Sequence, residues 1–161
     1  MQSLRRTASV FATLGVAIFL LAAYAGDMQD PLYGTWMLRV EKSSFGEVTG
    51  PKGQLLTYAF ADGFETMTSH GMNSQGNPTK VSYKARYDGK DYPMLGSLGG
   101  ETITLRRIDA FTTESTEKRA GKVTITALRR VSPDGKTLTE EFKGTLSDGR
   151  LLNATLVFDR R

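Results

Sequence analysis

Glycine sets the rhythm of this chain. Asp88-Gly89, Gly121, Asp134-Gly135 and Asp148-Gly149 each stand between two runs in which apolar and polar residues alternate. A tight hairpin turn needs positive φ, which glycine adopts at no steric cost. Alternation between such turns puts apolar side chains on one face of an extended segment. Past Gly26 no segment shows a sustained helical period. The pattern predicts an all-β fold: an antiparallel up-and-down barrel or half-barrel of about 8–10 strands.

The first strand opens at Gly34-Thr35-Trp36, with Trp36, Leu38 and Val40 on one face. Glu41 to Gly53 is a polar connection with room for one helical turn. Strands are expected over Leu55 or Leu56 to Phe60, Phe64 to Met72, and Val81 to Tyr87. A short return through Tyr92 and Met94 ends in the glycine-rich Gly96 to Gly100, which reads as a flexible connection. Five more strands follow: Thr102 to Ile108, Thr112 to Arg119, Lys122 to Val131, Thr137 to Thr145 and Arg150 to Phe158.

Hairpin register can be tested against the apolar pattern, because a slip of one residue flips every side chain to the other face. A turn at Asp88-Gly89 sets Ala85 opposite Tyr92 and Tyr83 opposite Met94. A loop over Pro133 to Lys136 pairs Val131 with Leu138 and Ala127 with Phe142. A three-residue loop at Ser147-Asp148-Gly149 pairs Phe142 with Ala154 and Leu138 with Phe158. Apolar meets apolar each time, so the last three strands share one inner face. Thr112 to Arg119 is too polar for this test to fix its register.

The N-terminus reads as an export signal. Arg5 and Arg6 precede the apolar stretch Val10 to Ala23, which is short for a bilayer span, and Ala23-Tyr24-Ala25 offers a cleavage site before Gly26. The expected organisation is a signal peptide over residues 1–25 and one domain over 26–161, periplasmic or extracellular, with no stable membrane span after cleavage. The chain has no cysteine, so packing and ladder hydrogen bonds must supply its stability. Removing Arg5 and Arg6 takes the net charge from +4 to +2. The remaining basic residues alternate with polar ones along strands and form no stripe with interleaved aromatics, which argues against nucleic-acid binding.

Gly34-Thr35-Trp36-Met37-Leu38, Lys42-Ser43-Ser44-Phe45 and Tyr87 to Pro93 (Tyr-Asp-Gly-Lys-Asp-Tyr-Pro) resemble small secreted bacterial lipocalin-like proteins, within the calycins that include lipocalins and fatty-acid-binding proteins. That group has no assigned activity, so the resemblance bears on fold more than on function. It implies structural roles for Gly34 and Trp36, and an arginine of the last strand packed on the tryptophan. Arg160 is the candidate, since it shares the face of Leu152 to Phe158. The connection from Glu41 to Gly53 is too short for the helix-pair lid of fatty-acid-binding proteins, which argues against a lidded internal cavity.

Arg129 shares a strand face with Val123, Ile125, Ala127 and Val131, and the register sets Glu140 opposite. An interior arginine can grip a carboxylate with its planar fork. The competing reading is a structural pair in which Glu140 already satisfies Arg129. Tyr58, Phe60, Tyr83, Tyr87 and Tyr92 fall on inner faces, where they line either a pocket with polar tips or a filled core. His70 is the only histidine and has no cysteine to share a zinc site with. No Gly-x-Ser-x-Gly elbow is present, and no catalytic constellation, metal site or cofactor motif can be read. The expectation is a non-enzymatic exported protein that binds a small apolar or amphipathic molecule in the barrel mouth, through Arg129, Glu140, Tyr58, Tyr83, Tyr87 and Tyr92. The alternative is a cell-envelope protein-interaction module with a filled barrel, serving as an inhibitor or assembly accessory.

Overall fold

The computed structural model describes residues 30–161; the signal segment expected over residues 1–25 lies outside the described residues. Ten strands form one closed antiparallel barrel: β1 (Gly34–Leu38), β2 (Gly53–Ala61), β3 (Phe64–Met72), β4 (Pro78–Ala85), β5 (Tyr92–Leu95), β6 (Thr102–Arg107), β7 (Thr112–Arg119), β8 (Lys122–Val131), β9 (Thr137–Thr145) and β10 (Leu151–Arg160). Each strand pairs with its neighbours in sequence, and β1 pairs with β10 to close the ring. Closure removes the unpaired edge that a half-barrel would expose.

The expected hairpin registers are those observed. Tyr83 faces Met94, Val131 faces Leu138, Ala127 faces Phe142, and β10 sets Ala154 and Phe158 opposite Phe142 and Leu138. β5 is short, so the ladder stops before Ala85 meets Tyr92. β7 pairs with β8 through a bulge between Glu117 and Lys118, the polar stretch whose register alternation left open.

Some boundaries move. β2 begins at Gly53, and β4 ends at Ala85, which leaves Tyr87 in the loop beyond it. Val40 leaves the inner face: it starts a 3-10 turn over Val40–Lys42 and is exposed. That turn lets the chain continue beside β10, where Ser44 bridges Thr155.

Alternation places the core inside the bore. Trp36, Leu105, Leu138 and Phe158 are fully buried. Trp36 and Arg160 close one end. The Arg160 guanidinium lies 4.1 Å from the Trp36 ring and donates to the carbonyls of Tyr33, Pro31 and Gly135 at 2.6, 2.5 and 2.5 Å. The indole N–H donates to the Leu32 carbonyl at 2.9 Å. Gly34 has φ of +122°, and a Cβ there would lie 2.7 Å from the Arg160 fork, so glycine makes room for this closure.

From that end to the other, β7 to β10 stack inward residues in layers. The register sets Val131, Leu138 and Phe158 in one layer, and Thr113, Arg129, Glu140 and Leu156 in the next. Ser115, Ala127, Phe142 and Ala154 follow, then Glu117, Ile125, Gly144 and Leu152.

Candidate functional site

The second layer is the unusual one. Arg129, Glu140 and Thr113 are buried at 3%, 4% and 2% exposure, side by side on three strands. Charges in such a place need partners, because moving an ion out of water costs several kcal/mol. The partner of Arg129 comes from across the bore. Its Nη1 donates to Glu65 on β3 at 2.9 Å and to the Tyr83 hydroxyl on β4 at 2.8 Å. Tyr83 donates to the same Glu65 oxygen at 2.6 Å, and Tyr87 donates to the other. Glu65 is 1% exposed and thus takes three donors.

This corrects the expected pairing of Arg129 with Glu140. The two are direct neighbours in the ladder, but the guanidinium reaches over the bore to Glu65. Glu140 instead accepts the Tyr58 hydroxyl at 2.7 Å, while the Arg129 guanidinium lies 5.5 Å from the Tyr58 ring.

Electrostatics follow the geometry. Burial raises the Tyr58 and Tyr83 hydroxyls well above the usual tyrosine range, and it raises Tyr87 too. These tyrosines stay protonated and act as donors. Burial also raises the Glu140 carboxyl, against the opposing pull of Arg129 and the Tyr58 hydrogen bond. For Arg129 burial opposes the charge and Glu65 restores it, so the guanidinium stays ionised.

The network leaves three buried polar atoms without a partner: Arg129 Nε, Arg129 Nη2 and Thr113 Oγ1. They belong to residues directly opposed across β7 and β8. Native interiors satisfy nearly all such groups, so these three set the layer apart from the rest of the core.

Tyr92 stands apart from this cluster. Its hydroxyl donates to Asp88 at 2.8 Å, and its ring meets Phe64 edge-on. Phe60 stacks with Tyr87 at the edge of the network. His70 is exposed, between Leu55 and Lys80 in the ladder. No group of side chains suited to hold a metal ion occurs among the described residues. A surface groove of about 120 Å³ lies elsewhere, on the outer wall, lined by Glu114, Thr126, Leu128, Glu141 and Lys143.

The far end of the barrel also departs from expectation. Residues 96–100 are no loose connection; they cross the mouth as a fastened strap. The Leu98 carbonyl accepts the Ser147 N–H at 2.9 Å, and Arg119 donates to the Gly99 carbonyl at 3.3 Å. Ser97 donates to Glu117 and accepts the Gly99 and Gly100 N–H groups at 3.0 and 3.2 Å. Gly99 and Gly100 are buried against Ile125 and Glu117, the layer nearest the mouth.

Glu65 and Thr113 were absent from the expected site. Glu65 was within reach of the pattern, since the Asp62-Gly63 turn pairs it with Phe60, an inner-face residue.

The ring of strands matches solved barrels. The zebrafish ileal bile acid-binding protein complexed with cholic acid superposes with a TM-score of 0.51 at 10% identity, covering 81% of this chain and 99% of that one. Rv2717c from M. tuberculosis superposes with a TM-score of 0.52 at 16% identity, covering 81% and 93%. The fold of this chain is a closed antiparallel β-barrel like those of lipocalins and fatty-acid-binding proteins. Protein-family models and curated proteins give no match. The bore of this barrel holds a charged layer between a closed end and a strapped mouth.

Proposed function

We propose that this barrel is an exported, non-enzymatic carrier of a small apolar or amphipathic molecule. The observation that carries the reading is Arg129: a buried guanidinium with one nitrogen committed to Glu65 and Tyr83 and two without partners. A ligand's polar group would accept from those two nitrogens. Its apolar part would extend toward the mouth, where the next layer is built from the small residues Ser115, Ala127 and Ala154 beside Phe142. The solved barrel that holds cholic acid supports the reading by likeness of fold. Export rests on the sequence of residues 1–25.

Native mass spectrometry of the exported protein tests this. A copurified small molecule, lost in Arg129→Met, supports the carrier. A clean apo mass from several preparations, with no displacement of an apolar fluorescent probe, ends it. Leu95, Leu98, Val123 and Leu151, all well exposed at or near the strapped end, favour the second reading, an envelope interaction module. That reading predicts a protein partner recovered by cross-linking and lost when these residues are made polar.

A further inference from the structure

Exposed aliphatic side chains gather at the strapped end. Leu95, Leu98, Val123 and Leu151 are the four most exposed large apolar residues, from 59% to 70%. Leu98 sits in the middle of the strap. Its carbonyl accepts the Ser147 N–H from the β9–β10 turn at 2.9 Å, and Arg119 of the β7–β8 hairpin donates to the Leu98 and Gly99 carbonyls at 3.5 and 3.3 Å. Each hairpin brings an aliphatic residue of its own beside these contacts. Val123 pairs with Lys118, next to Arg119, and Leu151 pairs with Thr145, close to Ser147. The strap thus stitches Leu98, Val123 and Leu151 into one rim. Apolar surface gathered in this way marks contact with protein or with membrane.

Charge and residue type favour membrane. Arg119, Lys122 and Arg150 stand beside the rim, with Lys143 behind it on β9. Lys122 and Lys143 are exposed and form no ion pair among the described residues. The carboxylates nearby are engaged. Asp148 pairs with Arg150 at 2.8 Å, Glu101 accepts the Ala120 N–H at 3.3 Å, and Glu117 accepts the Ser97 hydroxyl under the strap. The closed end differs: exposed Asp62, Asp88, Asp109 and Asp134 occupy its connections β2–β3, β4–β5, β6–β7 and β8–β9. Energetic centres of protein interfaces are rich in Trp and Tyr and poor in Leu and Val. Residues 95–101, 119–123 and 145–151 contain no aromatic side chain. A second copy seated end to end would bring two basic rims together. Aliphatic tips beside lysine and arginine suit acyl chains and anionic headgroups.

We propose that the strapped end of the barrel docks on an anionic phospholipid bilayer. Leu98, Val123 and Leu151 enter the acyl boundary, and Arg119, Lys122 and Lys143 meet the headgroup phosphates. The proposal does not rest on the carrier reading, since the rim lies outside the bore.

The test is flotation of the full exported protein with two kinds of vesicle: phosphatidylcholine alone, and phosphatidylcholine with about 30% phosphatidylglycerol. The bound fraction at low salt is expected to be at least roughly fivefold higher on the anionic vesicles, and to fall as salt screens the charges. Leu98→Asp is expected to weaken binding at least about tenfold. Lys122→Glu should weaken it several-fold, and Ile108→Asp, exposed at the closed end, should leave it unchanged. The chain has no cysteine, so Leu98→Cys and Ile108→Cys each carry a single environment-sensitive dye. On anionic vesicles the dye at position 98 should shift to the blue and the dye at position 108 should not. This readout does not depend on a charge-reversed variant folding. No binding, equal binding to both kinds of vesicle, or a shift of both dyes overturns the proposal and leaves the carrier reading untouched. So does a shift at position 98 that grows with protein concentration without vesicles, which gives the rim to a second copy. A protein partner cross-linked at the rim, with no vesicle binding, overturns it in favour of the interaction module.

Discussion

Glu65 and Arg129 stand on opposite walls of the bore, on β3 and β8, with 2.9 Å between carboxylate oxygen and guanidinium nitrogen. Their contact ties the two halves of the barrel together at the level of the charged layer. Removing one partner strands the other. Glu65→Gln is nearly isosteric but takes from Arg129 the one carboxylate it is hydrogen-bonded to, and breaking a buried pair in this way costs about 3–5 kcal/mol. A domain of this size holds only about 5–15 kcal/mol in all. Urea denaturation should show the midpoint fall steeply for Glu65→Gln. Glu65→Gln combined with Arg129→Met should recover much of the loss, because the orphaned charge is gone.

Glu140 makes stability depend on pH. Its folded pKa is raised above the ordinary value of 4.5, with burial as the cause. The folded state therefore holds the proton more tightly than the unfolded chain does. That contribution is fully present below the unfolded pKa and is lost as pH rises through the folded one. The raised Glu117 carboxyl, half-buried under the strap, acts in the same direction. Thermal melts across the acid-to-neutral range should show a smaller decline in Glu140→Gln than in the unaltered protein. An identical pH profile would show that Glu140 titrates normally.

Alternation and turn chemistry carried the strand order and the inner faces of β8, β9 and β10, because each slip would have turned Leu138 or Phe158 to water. They placed Arg129 and Glu140 side by side. They did not reveal where the guanidinium points, since ladder register fixes Cα neighbours and says nothing of a side chain long enough to cross the bore. Glu65 went unrecognised because a lone carboxylate between Phe64 and Thr66 looks like the polar half of a strand. The strap was illegible for another reason. Gly99 and Gly100 show no periodicity, and the contact of Leu98 with Ser147 joins segments with β6, β7, β8 and β9 between them in sequence.

The strap depends on how it leaves β5. Gly96 has φ of +79°, and a Cβ there would sit 2.0 Å from the backbone carbonyl oxygen of Lys80. A backbone atom cannot swing aside as a side-chain tip can. Gly96→Ala must therefore pay for a left-handed conformation, about 1–2 kcal/mol, and also shift the strap. The expected result is faster amide exchange at Gly99 and Gly100 and quicker uptake of an apolar probe, with the Trp36 end unaffected. Unchanged exchange would mean that the mouth is held by other contacts.

Arg160 does at the closed end what no lysine could do. Its planar fork lies over Trp36 at 4.1 Å while three of its nitrogens donate to three carbonyls, those of Tyr33, Pro31 and Gly135. Those carbonyls come from the segment before β1 and from the β8–β9 turn, so one side chain fastens two loops across the barrel floor. A lysine keeps the charge but has a single point of donation and no flat face to stack. Arg160→Lys should cost roughly 2 kcal/mol, from lost stacking and from carbonyls left to find water. Trp36 is the only tryptophan and is fully buried, so its fluorescence reports on this end alone. Arg160→Lys should shift that emission to the red and increase quenching by iodide. Ligand binding near Arg129, one layer beyond Val131, Leu138 and Phe158, should change much less. If Arg160→Lys instead leaves the Trp36 emission unmoved, the loops rather than the guanidinium keep water from the indole.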